Sequence, residues 1–129
     1  SVNVSDGASK YPKPEYSIPI QFGSSPDRTE DLIKRVFEEI EKFKTEGPTV
    51  KQLTDEREAL LREYETSSQQ NGYLLGQIVQ HYNYGEDPAL ISMIPEQYKK
   101  LDASAIKEAA KTYLNSSAYV RVSLFPEKK

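Results

Sequence analysis

The only imidazole in the chain is His81, followed shortly by the carboxylates Glu86 and Asp87. Imidazole and carboxylate both ligate zinc, but a zinc site needs three or more protein ligands that converge. One histidine with two loop carboxylates falls short of that set. His81 therefore reads as a helical histidine beside Tyr82 and Tyr84 that makes a hydrogen bond. A second group of titratable residues is Asp55-Glu56-Arg57-Glu58 with Arg62 and Glu63. Carboxylates do acid–base work when their environments push their pKa values apart. Glu58 and Arg62 instead stand at the i, i+4 spacing of surface ion pairs. Glu38, Glu39, Glu41, Lys42 and Lys44 read the same way, as a solvated face.

Serines are numerous, yet no Gly-x-Ser-x-Gly elbow places one beside a base. Gly72 and Gly76 bracket Tyr73 to Leu75, a spacing that lets helices pack closely but does not match a phosphate loop. The chain has nine tyrosines, and tyrosine rings on a sheet can stack on bases. Most of them fall at core-facing spacing, and a formal net charge of −3 comes with no basic patch. No catalytic, cofactor-binding or metal-ligating residue is assigned within these residues.

The elements that would carry such groups follow from periodicity. A chain of 129 residues, 36% hydrophobic and 29% charged, is globular in composition and reads as a single domain or part of one. It contains no cysteine, which removes disulfides and thiolate chemistry. No apolar run approaches the ~20 residues that span a bilayer. No signal peptide is visible at Ser1, and the absence of cysteine does not fix the compartment. The chain opens directly on a strand pattern with Val2 and Val4, as an excised piece of a longer protein would.

Residues 5–14 hold Gly7, Pro12 and Pro14 and read as a loop. Tyr16, Ile18, Ile20 and Phe22 alternate with polar neighbours, a strand over 15–22 in which Pro19 marks an edge or a bulge. Ser25 with Pro26, or Asp27 with Glu30, starts a helix whose apolar face is Leu32, Ile33, Val36, Phe37, Ile40 and Phe43. Gly47-Pro48 ends it. Thr49 and Gln52 form a capping box for a second helix carrying Leu53, Leu60, Leu61 and Tyr64. The polar run 66–71 breaks or bends it. Tyr73, Leu74, Leu75, Ile78, Val79 and Tyr82 form a third apolar segment. Gly85 to Pro88 is a turn, Ala89 to Met93 a short helix, and Ile94-Pro95 a corner. Asp102 caps a last helix with Ala105, Ile106, Ala109, Ala110, Tyr113 and Leu114 on one face, and Asn115 stops it. Val120, Val122 and Leu124 alternate with Tyr119, Arg121 and Ser123 as a closing strand. The order β-β-α-α-α-α-β predicts an α+β fold, with helices on one face of a mainly antiparallel sheet. So thin a sheet implies half of a larger two-layer domain.

Four segments carry a resemblance to a known family. Gly47-Pro48-Thr49-Val50-Lys51-Gln52-Leu53 resembles a capped helix start of the pitrilysin/insulinase-type zinc metallopeptidases, with Gln52 in place of the common Glu. Gly85-Glu86-Asp87-Pro88 resembles the family's Gly-x-Asp-Pro turn. Leu101-Asp102-Ala103-Ser104-Ala105-Ile106 resembles the start of its last helix. Ala109-Ala110-Lys111-Thr112-Tyr113-Leu114-Asn115 resembles that helix's end. The catalytic half of such enzymes carries H-x-x-E-H, in which two histidines hold zinc and the glutamate activates water. This chain has no such motif. The resemblance thus implies the C-terminal part of the inactive, non-zinc-binding half, which packs against the catalytic half and helps form the peptide chamber. It implies zinc in the catalytic half of the parent metalloendopeptidase, and a catalytic domain or subunit and a peptide as partners. The substrate-holding Arg and Tyr that such a half often supplies would lie ahead of Ser1. The alternative is a structural or assembly subunit related to the family. Missing upstream strands would leave an open edge, and the isolated piece is expected to dimerise through it or aggregate.

Overall fold

A computed structural model describes residues 2–127. Four short strands precede five α-helices: β1 (Val2–Val4), β2 (Gly7–Ser9), β3 (Glu15–Ser17), β4 (Ile20–Phe22), α1 (Thr29–Glu46), α2 (Val50–Ser67), α3 (Asn71–Tyr84), α4 (Ile94–Lys100) and α5 (Ala103–Tyr113). The fold is α+β, and both ladders are antiparallel. The chain forms two compact units. One runs to Gly47 and takes up the chain again from Lys107, and the other is Pro48–Ile106.

In the first unit β1 pairs with β4 (Val2 with Phe22, Val4 with Ile20) and β2 with β3 (Gly7 with Ser17, Ser9 with Glu15). These pairings make one hairpin interrupted where Ser5 donates its amide to the Pro19 carbonyl at 3.1 Å. The single strand expected over 15–22 is therefore split at Ile18-Pro19. Proline has no amide to give the ladder, so pairing lapses there and resumes at Ile20. Residues 7–9, expected as loop, are a strand. Their small side chains carry little β signal of their own, and the register of the hairpin draws them into the ladder. Tyr16 ties the hairpin to α5, with its ring at right angles to Tyr113, centroids 5.3 Å apart, and its hydroxyl on the Tyr113 carbonyl at 3.3 Å.

The expected closing strand over 119–124 does not form, which corrects the predicted order. Tyr119 to Glu127 has no regular secondary structure and joins no ladder. Alternation makes a segment fit for a sheet, but a strand is stable only when another edge takes its amides and carbonyls. Among the described residues the hairpin strands pair with one another instead. Nor, among the described residues, is there one sheet with helices laid on it, only two-stranded ribbons. The tail is held by side chains. Tyr119 packs on Phe37 with ring centroids 4.8 Å apart, and Arg121 makes a two-pronged pair with Glu30 of α1. That contact holds the Glu30 carboxyl below its usual range.

Helix boundaries match the sequence more closely. A 3-10 turn, Pro26–Arg28, leads into α1, with the Ser25 carbonyl accepting from Arg28 and from the Thr29 hydroxyl. All six apolar residues expected on the inner face of α1 are half-buried. At α2 both arms of the capping box are present: Gln52 gives its amide to Thr49 Oγ1, and Gln52 Oε1 accepts from the Thr49 amide at 2.9 Å. The break before α3 falls at residues 68–70, inside the expected polar run. Gly85 ends α3 at φ 69, a left-handed conformation that costs glycine little and other residues more. Asp87 caps the 3-10 turn Pro88–Met93 through Ala89, and Asp102 accepts from the Ala105 amide at 2.7 Å. Ile94-Pro95, expected as a corner, opens α4 instead, because proline is well suited to a first helical turn.

Within the second unit α2 lies against α4, and α3 against the Pro88–Met93 turn. Ile91 of that turn is 7% exposed, and Tyr64 of α2 donates its hydroxyl to the Ile91 carbonyl at 3.0 Å. Arg57 reaches the Leu101 carbonyl. Gly72 and Gly76 permit no close helix packing here, since a methyl added at either would meet nothing within 4 Å.

Candidate functional site

His81 sits in the last turn of α3, where helical periodicity turns its ring inward with Tyr73, Leu74, Gln77 and Tyr84. Its Nδ1 lies 3.1 Å from Glu86 Oε2, and the Glu86 amide donates to the His81 carbonyl at 2.8 Å. The left-handed Gly85 makes this possible by folding the chain back over the helix end. Asp87 is turned away, spending its carboxylate on the Ala89 amide at 2.9 Å. The two loop carboxylates therefore do not converge on the imidazole. No group of three histidine or carboxylate side chains able to hold a metal ion occurs among the described residues. The geometry is that of a hydrogen-bonded histidine at a helix end.

The acidic stretch of α2 is likewise a surface. Arg62 pairs with Glu58 at 3.0 Å, and Lys51 with Asp55. On α1 Lys44 holds Glu41 at 2.9 Å, and this bond, with a second from Ser116, keeps the Glu41 carboxyl below its usual range. Exposed pairs of this kind contribute little to stability.

The structure assembles a cleft from residues that the sequence reading kept apart, with Leu60, Tyr64 and Tyr73 on apolar faces and Glu63 on a solvated one. It has a volume of about 220 Å³. Leu60, Glu63, Tyr64 and Ser67 line it from α2, Tyr73 and Gln77 from α3, and Tyr98 from α4. The sequence signal was present: residues 60, 63, 64 and 67 share one helical face. What could not be read was that α3 and α4 bring two further phenols to the same place. The Tyr64 and Tyr73 rings stand at 85° with centroids 6.5 Å apart, as adjoining walls and not as a stack. The Tyr64 ring is fixed by its bond to Ile91.

Burial, first, and then repulsion from Tyr98, Tyr64 and Glu63 raise the Tyr73 pKa above its ordinary 10.0. The folded chain thus holds this proton more tightly than the unfolded chain does. The resulting stability is complete below pH 10.0 and is lost as pH rises through the higher folded value. We expect a thermal melt to fall between about pH 8 and about pH 11 in the wild type, and to fall less in Tyr73→Phe. Equal slopes in the two proteins would place the alkaline limb elsewhere.

Compared with known proteins, the chain matches no family model, no curated protein and no solved structure. No helix among the described residues is long and apolar enough to cross a membrane.

Proposed function

We propose that this chain is a noncatalytic part of a pitrilysin-type zinc metallopeptidase, packing against a catalytic half and helping to shape its peptide chamber. The observation that carries this reading is the amount of apolar surface left open. Val120, Val122 and Leu124 are 89%, 83% and 96% exposed. On α3 the stripe Leu75, Ile78, Val79 and Tyr82 is also exposed, at the i, i+3, i+4, i+7 spacing of a packing face. The accessible surface is 10466 Å². Two separate compact bodies sharing this mass would together expose roughly 8400 Å². An exposed apolar stripe of this kind marks a surface that meets another protein. The family-like segments support the same reading. Thr49, Gly85, Asp87 and Asp102 of those segments each stand at a helix boundary. A sheet edge in such a chamber holds peptide through main-chain bonds.

The test is reconstitution. The chain alone is expected to show no peptidase activity with added zinc. Combined with the H-x-x-E-H-bearing half encoded in the same or a neighbouring reading frame, it is expected to form a stable complex and to raise that half's peptide turnover. Zinc-dependent turnover by residues 1–129 alone would overturn the proposal. A stable complex with a partner lacking H-x-x-E-H would make the chain an assembly subunit instead.

The unpaired 119–127 segment and the open hairpin edges lead to a further expectation. In sedimentation velocity, the isolated chain should show weight-average mass rising with concentration, because unpaired strand edges recruit one another. A single monomeric species at every concentration would count against it.

A further inference from the structure

We infer that the cleft between α2, α3 and α4 binds a small organic ammonium group, held against the rings of Tyr64, Tyr73 and Tyr98 and the carboxylate of Glu63. The faces of aromatic rings carry negative charge, and a cation within about 6 Å of a ring centre is attracted to them. Two of the rings meet edge to face at 85° with centroids 6.5 Å apart, and both line the cleft. Tyr98 adds a phenol from a third helix, and Glu63 adds formal negative charge at the rim. The walls are set by the fold: Tyr64 is anchored on the Ile91 carbonyl at 3.0 Å.

The other ligand classes fit less well. An anion would meet Glu63 and three electron-rich rings. A divalent metal would find one carboxylate where such ions need several oxygen ligands. A purely apolar ligand would leave Gln77, Ser67 and Glu63 facing it without exchange. The volume of about 220 Å³ lies below the ~300–1000 Å³ of sites for drug-sized molecules, which suits a trimethylammonium group with a short chain. A quaternary ammonium is favoured over a primary one because it sheds its water at lower cost.

The test titrates the 129-residue chain with choline while following tyrosine ring signals by NMR. Its neutral isostere, 3,3-dimethyl-1-butanol, serves as the control. Choline is expected to move the Tyr64, Tyr73 and Tyr98 signals saturably, with a dissociation constant on the order of 1–10 mM. The neutral isostere should move them at least about tenfold less at equal concentration. Tyr73→Phe keeps the ring and should bind within about twofold, whereas Tyr73→Leu should lose about tenfold. Should Tyr73→Leu fail to fold by circular dichroism, the exposed Glu63→Gln decides, with an expected loss of about threefold or more. Co-sedimentation with phosphatidylcholine vesicles would assign the group to a lipid headgroup, and its absence to a free solute. Equal response to choline and its isostere, or no movement of these signals, would overturn the inference.

Discussion

Replacing Ile91 with alanine is expected to lower the melting temperature of the Pro48–Ile106 unit by about 10–25 °C. Ile91 is 7% exposed, and only Ala110 is as well buried among the described hydrophobic residues. It stands in the Pro88–Met93 turn, against which both α3 and α4 pack. Truncating a buried isoleucine costs about 2–5 kcal/mol through lost transfer energy and the cavity left behind. A domain has only about 5–15 kcal/mol to lose. The same substitution loosens the seat for Tyr64, whose hydroxyl rests on the Ile91 carbonyl. Circular dichroism melts measure the size of the effect. Hydrogen exchange locates it, with lost amide protection expected over residues 48–106. Ile91→Val should cost only about 1 kcal/mol. A melt unchanged by Ile91→Ala would mean that this turn is not the centre of the unit.

Ala110→Asp is expected to destabilise the other unit by about 3 kcal/mol. Ala110 is 6% exposed on α5. A methyl group asks nothing of its surroundings, whereas a carboxylate there must shed its water. The positions four residues away are Ile106 and Leu114, and Lys107, three residues before it, can offset only part of that cost. Ala110→Gly separates the two causes. It removes the methyl without adding charge and should cost about 1 kcal/mol, the usual helix penalty. Denaturant midpoints for the three proteins give the comparison. Because a buried aspartic acid regains neutrality by taking up a proton more readily than an unfolded one, the Ala110→Asp defect should shrink as pH falls toward about 4, the ordinary aspartate pKa, and change little below it. A defect that is constant with pH would point to steric overpacking.

Much of the helical plan was legible because helix ends are local. Thr49 with Gln52, Asp102 with the amide of Ala105, and Gly85 at positive φ each involve residues within a few positions of one another. The inner face of α1 was readable for the same reason, since a single helix sets its own period. The strands were not so legible. Val120, Val122 and Leu124 alternate as well as Tyr16, Ile18 and Ile20 do, yet only the latter stretch contributes ladder residues. Gly7 to Ser9, with almost no strand signal, pairs because the hairpin register requires it. The Leu75, Ile78, Val79 and Tyr82 stripe has the period of a buried face and lies open to solvent, because period shows which residues share a face and not what covers it.

The sequence by itself determined where α1, α2, α3 and α5 begin and end, and which sides of them are apolar. Those properties rest on hydrogen bonds and spacings within one or two turns of chain. Only the tertiary structure decided that Glu86 and not Asp87 meets His81, that Pro19 interrupts the ribbon, and that three tyrosines from three helices enclose one cleft. Each of these depends on contacts between distant residues, whose energies become available only once the chain between them has been ordered.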